Sequence, residues 1–354
     1  MEEAMAPKKS AGKRLTIREF AQALGVSTAT VSRAIHGRGR ISPATRARIL
    51  AQMEQLGYTP NLHAQSLVRK RSMAVALEYL GMVEVLADSF LVELARGIQQ
   101  RLVPHRYRLL LNLTGDLEYR RSVVCGWVRA RAVDGVILVG NPHIDPEWLT
   151  LLQEEHVPSV WIAYDGHHTL PPNTCLVRLD TTTGWHEAVD HLVALGHRRI
   201  GYLGVSPSDP ALETIRQALA HHGLTLPDSH LWWAAEATPK GGYEAARAIL
   251  RSPSMPTALL VRTDLLALGA LRAFQEHGVR IPAKLSLVGH DDLPFAQWLN
   301  PPLSTIRVDY ALLGHYAVEA IMHLLNAPQE PTPPYCVATR FLARQSTAAP
   351  TSHQ

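Results

Sequence analysis

Ser27, Thr28, Ala29, Thr30, Ser32 and Arg33 fall within a short stretch that contains no carboxylate. Short hydroxyl side chains allow close approach to phosphates and base edges, and an arginine can pair bidentately with guanine in a major groove. The chemistry on offer is recognition of a polyanion. Bond making has no comparable signature: a P-loop, a Gly-x-Ser-x-Gly elbow and a Gly-x-Gly-x-x-Gly fingerprint are all absent from the sequence. Among 18 histidines, the pairs His167-His168 and His221-His222 lack a carboxylate or cysteine at ligand spacing. His290-Asp291-Asp292 follows an apolar run and has the look of an acid/base cluster. Cys125, Cys175 and Cys336 are far apart and encode neither a disulfide framework nor a CxxC zinc site. No metal, cofactor or catalytic residue is expected.

The elements that position the first cluster are legible. Thr16 is an N-cap with Glu19 completing a capping box, and Ile17, Phe20, Ala21 and Leu24 share one helical face. Gly25 ends that helix, Ser27 caps the next, and Val31, Ala34 and Ile35 give it an apolar stripe. The short connection is that of a helix-turn-helix. Ser42-Pro43 opens a third helix whose inward face is Ile49, Met53 and Leu56, ending at Gly57. Charge marks the same region. Residues 1–72 hold 13 Lys or Arg against 4 acids, a balance of +9, while the remainder holds 22 against 27, a balance of −5. A basic head on a mildly acidic body suggests a polyanion-binding module joined to a second function. The alternative is a small helical bundle whose basic residues are simply solvated.

Residues 16–67 resemble the DNA-binding headpiece of the lactose-repressor (LacI) family. The matching motifs are Thr16-Ile17-Arg18-Glu19-Phe20-Ala21, Gly25-Val26-Ser27, Thr30-Val31-Ser32-Arg33, Ser42-Pro43-Ala44-Thr45-Arg46 and Leu56-Gly57-Tyr58-Thr59-Pro60-Asn61. The resemblance implies that Thr28, Ala29 and Arg33 read bases and that Thr16, Ser27, Thr30, Ser32 and Asn61 meet the DNA backbone. It also makes residues 61–69 a hinge helix, with Leu67 as the wedge that enters the minor groove and bends the operator. An ordinary linker leucine is the alternative for Leu67.

From residue 73 short apolar runs alternate with amphipathic stretches. Strands are expected at 74–80, 107–113, 133–139, 157–163, 200–205, 231–235, 258–261 and 285–288. Helices are expected near 90–102, 117–131, 146–155, 184–195, 211–222, 241–251 and 264–277. Two sets of βα units predict two parallel sheets covered by helices, hence two α/β lobes with a cleft between them. This region also resembles the LacI family and the periplasmic sugar-binding fold, through Ala132 to Leu138, Asp180 to Gly184, His191 to Gly201, Asp264 to Gly269, Gly289 to Asp292 and Pro301 to Ile306. The resemblance implies that the chain crosses between lobes three times.

The expected fold is therefore an N-terminal all-α helix-turn-helix headpiece with a hinge helix, then a two-lobed α/β core like a periplasmic binding protein. The expected divisions are a basic arm at 1–15, headpiece at 16–60, hinge at 61–72, core at 73–347 and tail at 348–354. Lobe 1 takes about 73–176 and 310–337, and lobe 2 about 177–308 and 338–347. For the cleft, the resemblance implies effector contacts from Phe90, Leu91, Asp165, Thr263 and Asp291. Three usual contacts are replaced: an arginine by Ala211, a stacking aromatic by Ala237 and an asparagine by Thr263. Trp298, Arg216, Trp185 and the Trp232-Trp233 pair are the residues available to compensate, each with packing or surface exposure as its alternative.

No apolar run approaches the length of a membrane span, and no signal-peptide core follows the basic start. The expected protein is a cytoplasmic homodimer without a leucine-heptad tail, a transcriptional regulator that binds near-palindromic operator DNA. Its expected effector is a small molecule of sugar type. A regulator with a non-sugar effector or a protein co-regulator, a sugar-binding transport protein and a sugar-metabolising enzyme are the competing readings.

Overall fold

The computed structural model describes residues 15–36, 39–59, 66, 71–80, 89–112, 116–140, 146–164, 170, 172–327, 332–333 and 335–351. The chain divides into two compact units, Met1–Ser72 and Met73–Gln354. Of the expected features, the arm, Asn61, Leu67, Asp165 and the His167-His168 pair lie outside the described residues.

The first unit holds α1 (Ile17–Ala23), α2 (Thr28–His36) and α3 (Pro43–Gln55). Thr16 caps α1 and shares a reciprocal capping box with Glu19. Between α1 and α2 the chain turns at Gly25, whose φ of +65° disfavours a side-chain-bearing residue. Ser42 caps α3 ahead of Pro43. Phe20, Ala21, Val31, Ala34, Ile49 and Tyr58 form one small core, with the Phe20 and Tyr58 rings stacked at 4.4 Å.

In the second unit, lobe 1 is built on a six-stranded sheet in the order β11-β5-β4-β3-β1-β2. Its strands are β1 (Ala74–Tyr79), β2 (Arg108–Leu111), β3 (Gly135–Val139), β4 (Ser159–Tyr164), β5 (Thr174–Asp180) and β11 (Tyr335–Ala338), all parallel. The sheet's helices are α4 (Ser89–Leu102), α5 (Leu117–Arg129), α6 (Pro146–Glu154) and α11 (Tyr310–Asn326). Lobe 2 repeats the plan in the order β12-β10-β9-β8-β6-β7. Here the strands are β6 (Ile200–Gly204), β7 (Leu231–Trp233), β8 (Ala258–Val261), β9 (Ser286–Asp291), β10 (Ser304–Arg307) and β12 (Arg340–Leu342). The covering helices are α7 (Thr182–Ala194), α8 (Pro210–His221), α9 (Pro239–Leu250) and α10 (Asp264–Glu276).

Three expectations need correction. Lobe 2 is not wholly parallel, because β12 runs antiparallel to β10 at the sheet edge, where a returning chain can pair without a crossover helix. The first crossing falls after Asp180 rather than after 176, since β5 stays hydrogen-bonded to β4 and β11. Residues 348–351, expected as a tail beyond the core, are bonded to it. Ala348 N donates to Ser286 Oγ at 3.0 Å, Ala348 O pairs with His197 Nε2 at 2.9 Å, and the Thr351 hydroxyl donates to Ala283 O at 3.2 Å. The remaining crossings run from β10 into α11 and from β11 into β12.

Candidate functional site

In the first unit, α2 turns its apolar stripe inward and leaves Thr28, Ala29 and Arg33 exposed on the opposite face. Ser27 Oγ accepts from Thr30 N at 3.1 Å and pairs with the Thr30 hydroxyl at 2.9 Å, fixing the start of the helix. Arg46 Nε donates to Ala34 O at 3.1 Å and ties α3 to the back of α2. Ser32 is half-buried beside the exposed stripe. A helix held from behind, with small polar residues and one arginine outward, has the shape and chemistry to enter a major groove.

In the second unit the strands' C-terminal edges define the other site. Phe90 and Leu91, at the start of α4, are buried in a cluster with Tyr310, Val308 and Leu293. Phe90 meets Tyr310 edge-on at 5.5 Å and Tyr79 at 6.4 Å. Leu293 belongs to lobe 2, two residues past the end of β9, and shares this buried cluster with residues of lobe 1, so the lobes meet near the C-terminal edge of the β9 sheet. Ligands of open α/β sheets bind at that edge.

On lobe 2, Asp291 ends β9 with φ +114°, and Asp292 follows at φ +55°. Beneath them Asp264 is fully buried, accepting from Leu293 N at 2.8 Å and from the Thr305 hydroxyl at 2.7 Å. Burial raises its pKa well above the usual carboxylate range, and the nearby Asp291 charge adds to the rise. Gly289 makes room for this carboxyl, since a Cβ there would stand 2.1 Å from Asp264 Oδ1. Asp292 is gripped by Arg307 at 2.6 Å and Arg344 at 2.5 Å. Thr263 Oγ1 accepts from Leu266 N at 3.2 Å and so caps α10.

Phe90 and Leu91 lie in the buried cluster of lobe 1 that Leu293 joins, while Thr263 and Asp291 stand at the C-terminal ends of β8 and β9 in lobe 2. Trp298 is 82% exposed, the surface alternative weighed for it. The other candidates for compensation have packing or surface partners. Arg216 pairs at the surface with Asp228, Trp185 is fully buried against His290 and Tyr202, and Trp232 and Trp233 belong to the edge strand β7. His222 pairs with Asp190 at 2.6 Å, a carboxylate from a different helix. Among the described residues no group of three His, Cys, Asp or Glu could hold a metal.

Sequence reasoning missed Tyr310 and the Arg262–Asp209 pair. Arg262 Nε lies 2.9 Å from Asp209 Oδ2, which also accepts from the Tyr202 hydroxyl at 2.8 Å; Asp209 Oδ1 caps α8 through Ala211 N. An arginine therefore stands at the end of β8, tied to the residue that caps α8, in whose first turn Ala211 replaces the expected one. Its signal was a charged residue directly after an apolar strand.

The family model for bacterial regulatory proteins of the lacI family matches residues 16–61, and that for a periplasmic binding protein-like domain matches residues 189–347. The HTH-type transcriptional regulator DegA of Bacillus subtilis is 30% identical over 307 residues, spanning 85% of this chain and 88% of DegA. The ribose operon repressor of Escherichia coli K12 is 28% identical over 325 residues, spanning 88% and 94%. Among solved structures, the lac repressor dimer bound to operator and an anti-inducer matches with a TM-score of 0.79 at 26% identity, covering 95% of this chain and 100% of that one. The chain belongs to the LacI family of bacterial regulatory proteins. It is a DNA-binding transcriptional regulator, not an enzyme.

Proposed function

We propose that this regulator represses genes of carbohydrate uptake or utilisation, acting in the cytoplasm as a homodimer on near-palindromic operator DNA. Two copies of α2 occupy successive major-groove half-sites, with Thr28, Ala29 and Arg33 reading bases and Thr16, Ser27, Thr30, Ser32 and Asn61 holding the backbone. Leu67 is the residue we assign to the minor-groove wedge. A sugar-type effector bound between the lobes, with Phe90, Leu91, Asp165, Thr263 and Asp291 as its contacts, shifts the lobes and changes operator affinity. Coupling of this kind typically amounts to ~1–3 kcal/mol.

The observation that carries the effector site is the meeting of the two lobes at the Asp291–Leu293 turn. Asp291→Ala is expected to abolish the response to effector and leave operator binding intact, measured by fluorescence anisotropy on operator DNA with and without sugars. A response that survives the substitution places the effector elsewhere. A non-sugar effector is the second reading. It is favoured by the apolar wall of Phe90, Leu91, Tyr310 and Leu293, and by the use of the Thr263 hydroxyl as a helix cap.

A further inference from the structure

We propose that His290 is a positioning residue for effector recognition: its buried imidazole holds one carboxylate oxygen of Asp291, so that a ligand meets the other. The proposal rests on the reading of Asp291 as an effector contact. His290 is fully buried near the end of β9, and its Nδ1 lies 2.9 Å from Asp291 Oδ1. Successive side chains of a strand point to opposite faces, so this contact between neighbours requires a departure from strand geometry. The departure is the φ of +114° at Asp291, a region that residues with side chains seldom occupy. Strained backbone of this kind persists where its surroundings over-determine it. Here Val308 N donates to Asp291 O at 3.4 Å, and Asp292 is clamped by Arg307 and Arg344.

The imidazole plane is fixed from behind. Trp185, on α7, stacks on it at 5.3 Å with an angle of 18° between the rings, and is itself fully buried. Neither His290 Nε2 nor Trp185 Nε1 has a hydrogen-bond partner among the described residues. A buried ring nitrogen without a partner opposes folding, and a phenyl ring would fill the same slot without that cost. What imidazole adds over phenyl is the Nδ1 contact to Asp291. That contact is the only side-chain hydrogen bond of Asp291 among the described residues, which leaves Oδ2 as the carboxylate oxygen that His290 does not engage.

A residue kept for packing and one kept for aiming Asp291 respond differently to substitution. His290→Phe retains the ring and the stack and removes the donor; His290→Asn restores an N–H near the Nδ1 position. The full-length chain is tested on operator DNA with D-ribose, cellobiose and D-galacturonate as probes, alongside thermal unfolding. For His290→Phe the expected result is a melting temperature that does not fall, unchanged operator binding, and a half-response sugar concentration raised by about tenfold. His290→Asn is expected to recover most of that loss.

An unchanged half-response in His290→Phe, with Asp291→Ala unresponsive, overturns the positioning role and leaves the Asp291 reading standing. A response that persists in Asp291→Ala overturns both. If none of the three sugars shifts operator binding, nitrogen NMR of the histidines decides. A proton on Nδ1 whose signal moves in Asp291→Ala supports the contact, and a resonance indifferent to that substitution overturns it. Loss of folding in His290→Phe, with His290→Asn stable but unresponsive, also overturns the proposal.

Discussion

Arg33 and Arg262 show how surroundings decide what a guanidinium does. Arg33 is exposed on α2, its stem beside Gly39, where an added Cβ would come within 3.4 Å of Arg33 Cδ. On the proposed reading, Arg33→Ala loses ~1–3 kcal/mol at one base pair and relaxes specificity there. Binding to single-base operator variants measures this, and equal weakening on every sequence would contradict base readout. Arg262 is only 16% exposed and its partner Asp209 only 6%. Arg262→Ala strands a buried carboxylate and is expected to cost about 3 kcal/mol, read from denaturant unfolding of the core. The exposed place of Arg33 was legible because its neighbours in sequence are its neighbours on the helix. That of Arg262 was not, because its partner arrives from the loop after a different strand.

At the scale of elements, α10 begins at a carboxyl that the fold prefers protonated. Asp264 has a folded-state pKa raised above its unfolded value, so the folded chain binds its proton more tightly. Its favourable contribution is complete below the ordinary carboxylate range and declines as pH climbs through the raised value. Asp264→Asn is expected to flatten that decline, with melting temperature followed from acid to neutral pH as the measurement. A pH profile identical to the parent's would show that the proton is not taken up there. Helix positions were legible from periodicity and caps: the expected helix near 264–277 is found as Asp264–Glu276. The strands β5, β10, β11 and β12 and the helix α11 were not read as elements. β5 is exposed enough at alternate positions to carry Arg178, and β10 is a short run between prolines and a hinge. Such segments become strands because a sheet is waiting for them, which no local window contains.

For the whole molecule, charge and fold divide at the same place. The +9 balance ends at the residue where the first compact unit ends. Operator affinity is therefore expected to fall steeply with salt through counterion release. The slope should be the same in Asp291→Ala as in the parent, because that substitution removes no charge from the headpiece. Salt titration of both proteins measures it, and a shifted slope would implicate the core in phosphate contact. The two-lobed plan was legible from the alternation of runs, and the exact crossings were not, since β5 and β11 declare their lobe only by whom they pair with.

The three strand-to-lobe crossings also set the mechanics of the core. A single linker would let two bodies drift apart or swivel freely. Three linkers side by side behave like the leaves of a flexure: each resists stretching, and together they resist shear. What remains soft is bending or twisting about the line the crossings share. A ligand at the junction therefore has few ways to deform the core, and its binding energy is directed into a small angular motion instead of being spread over many.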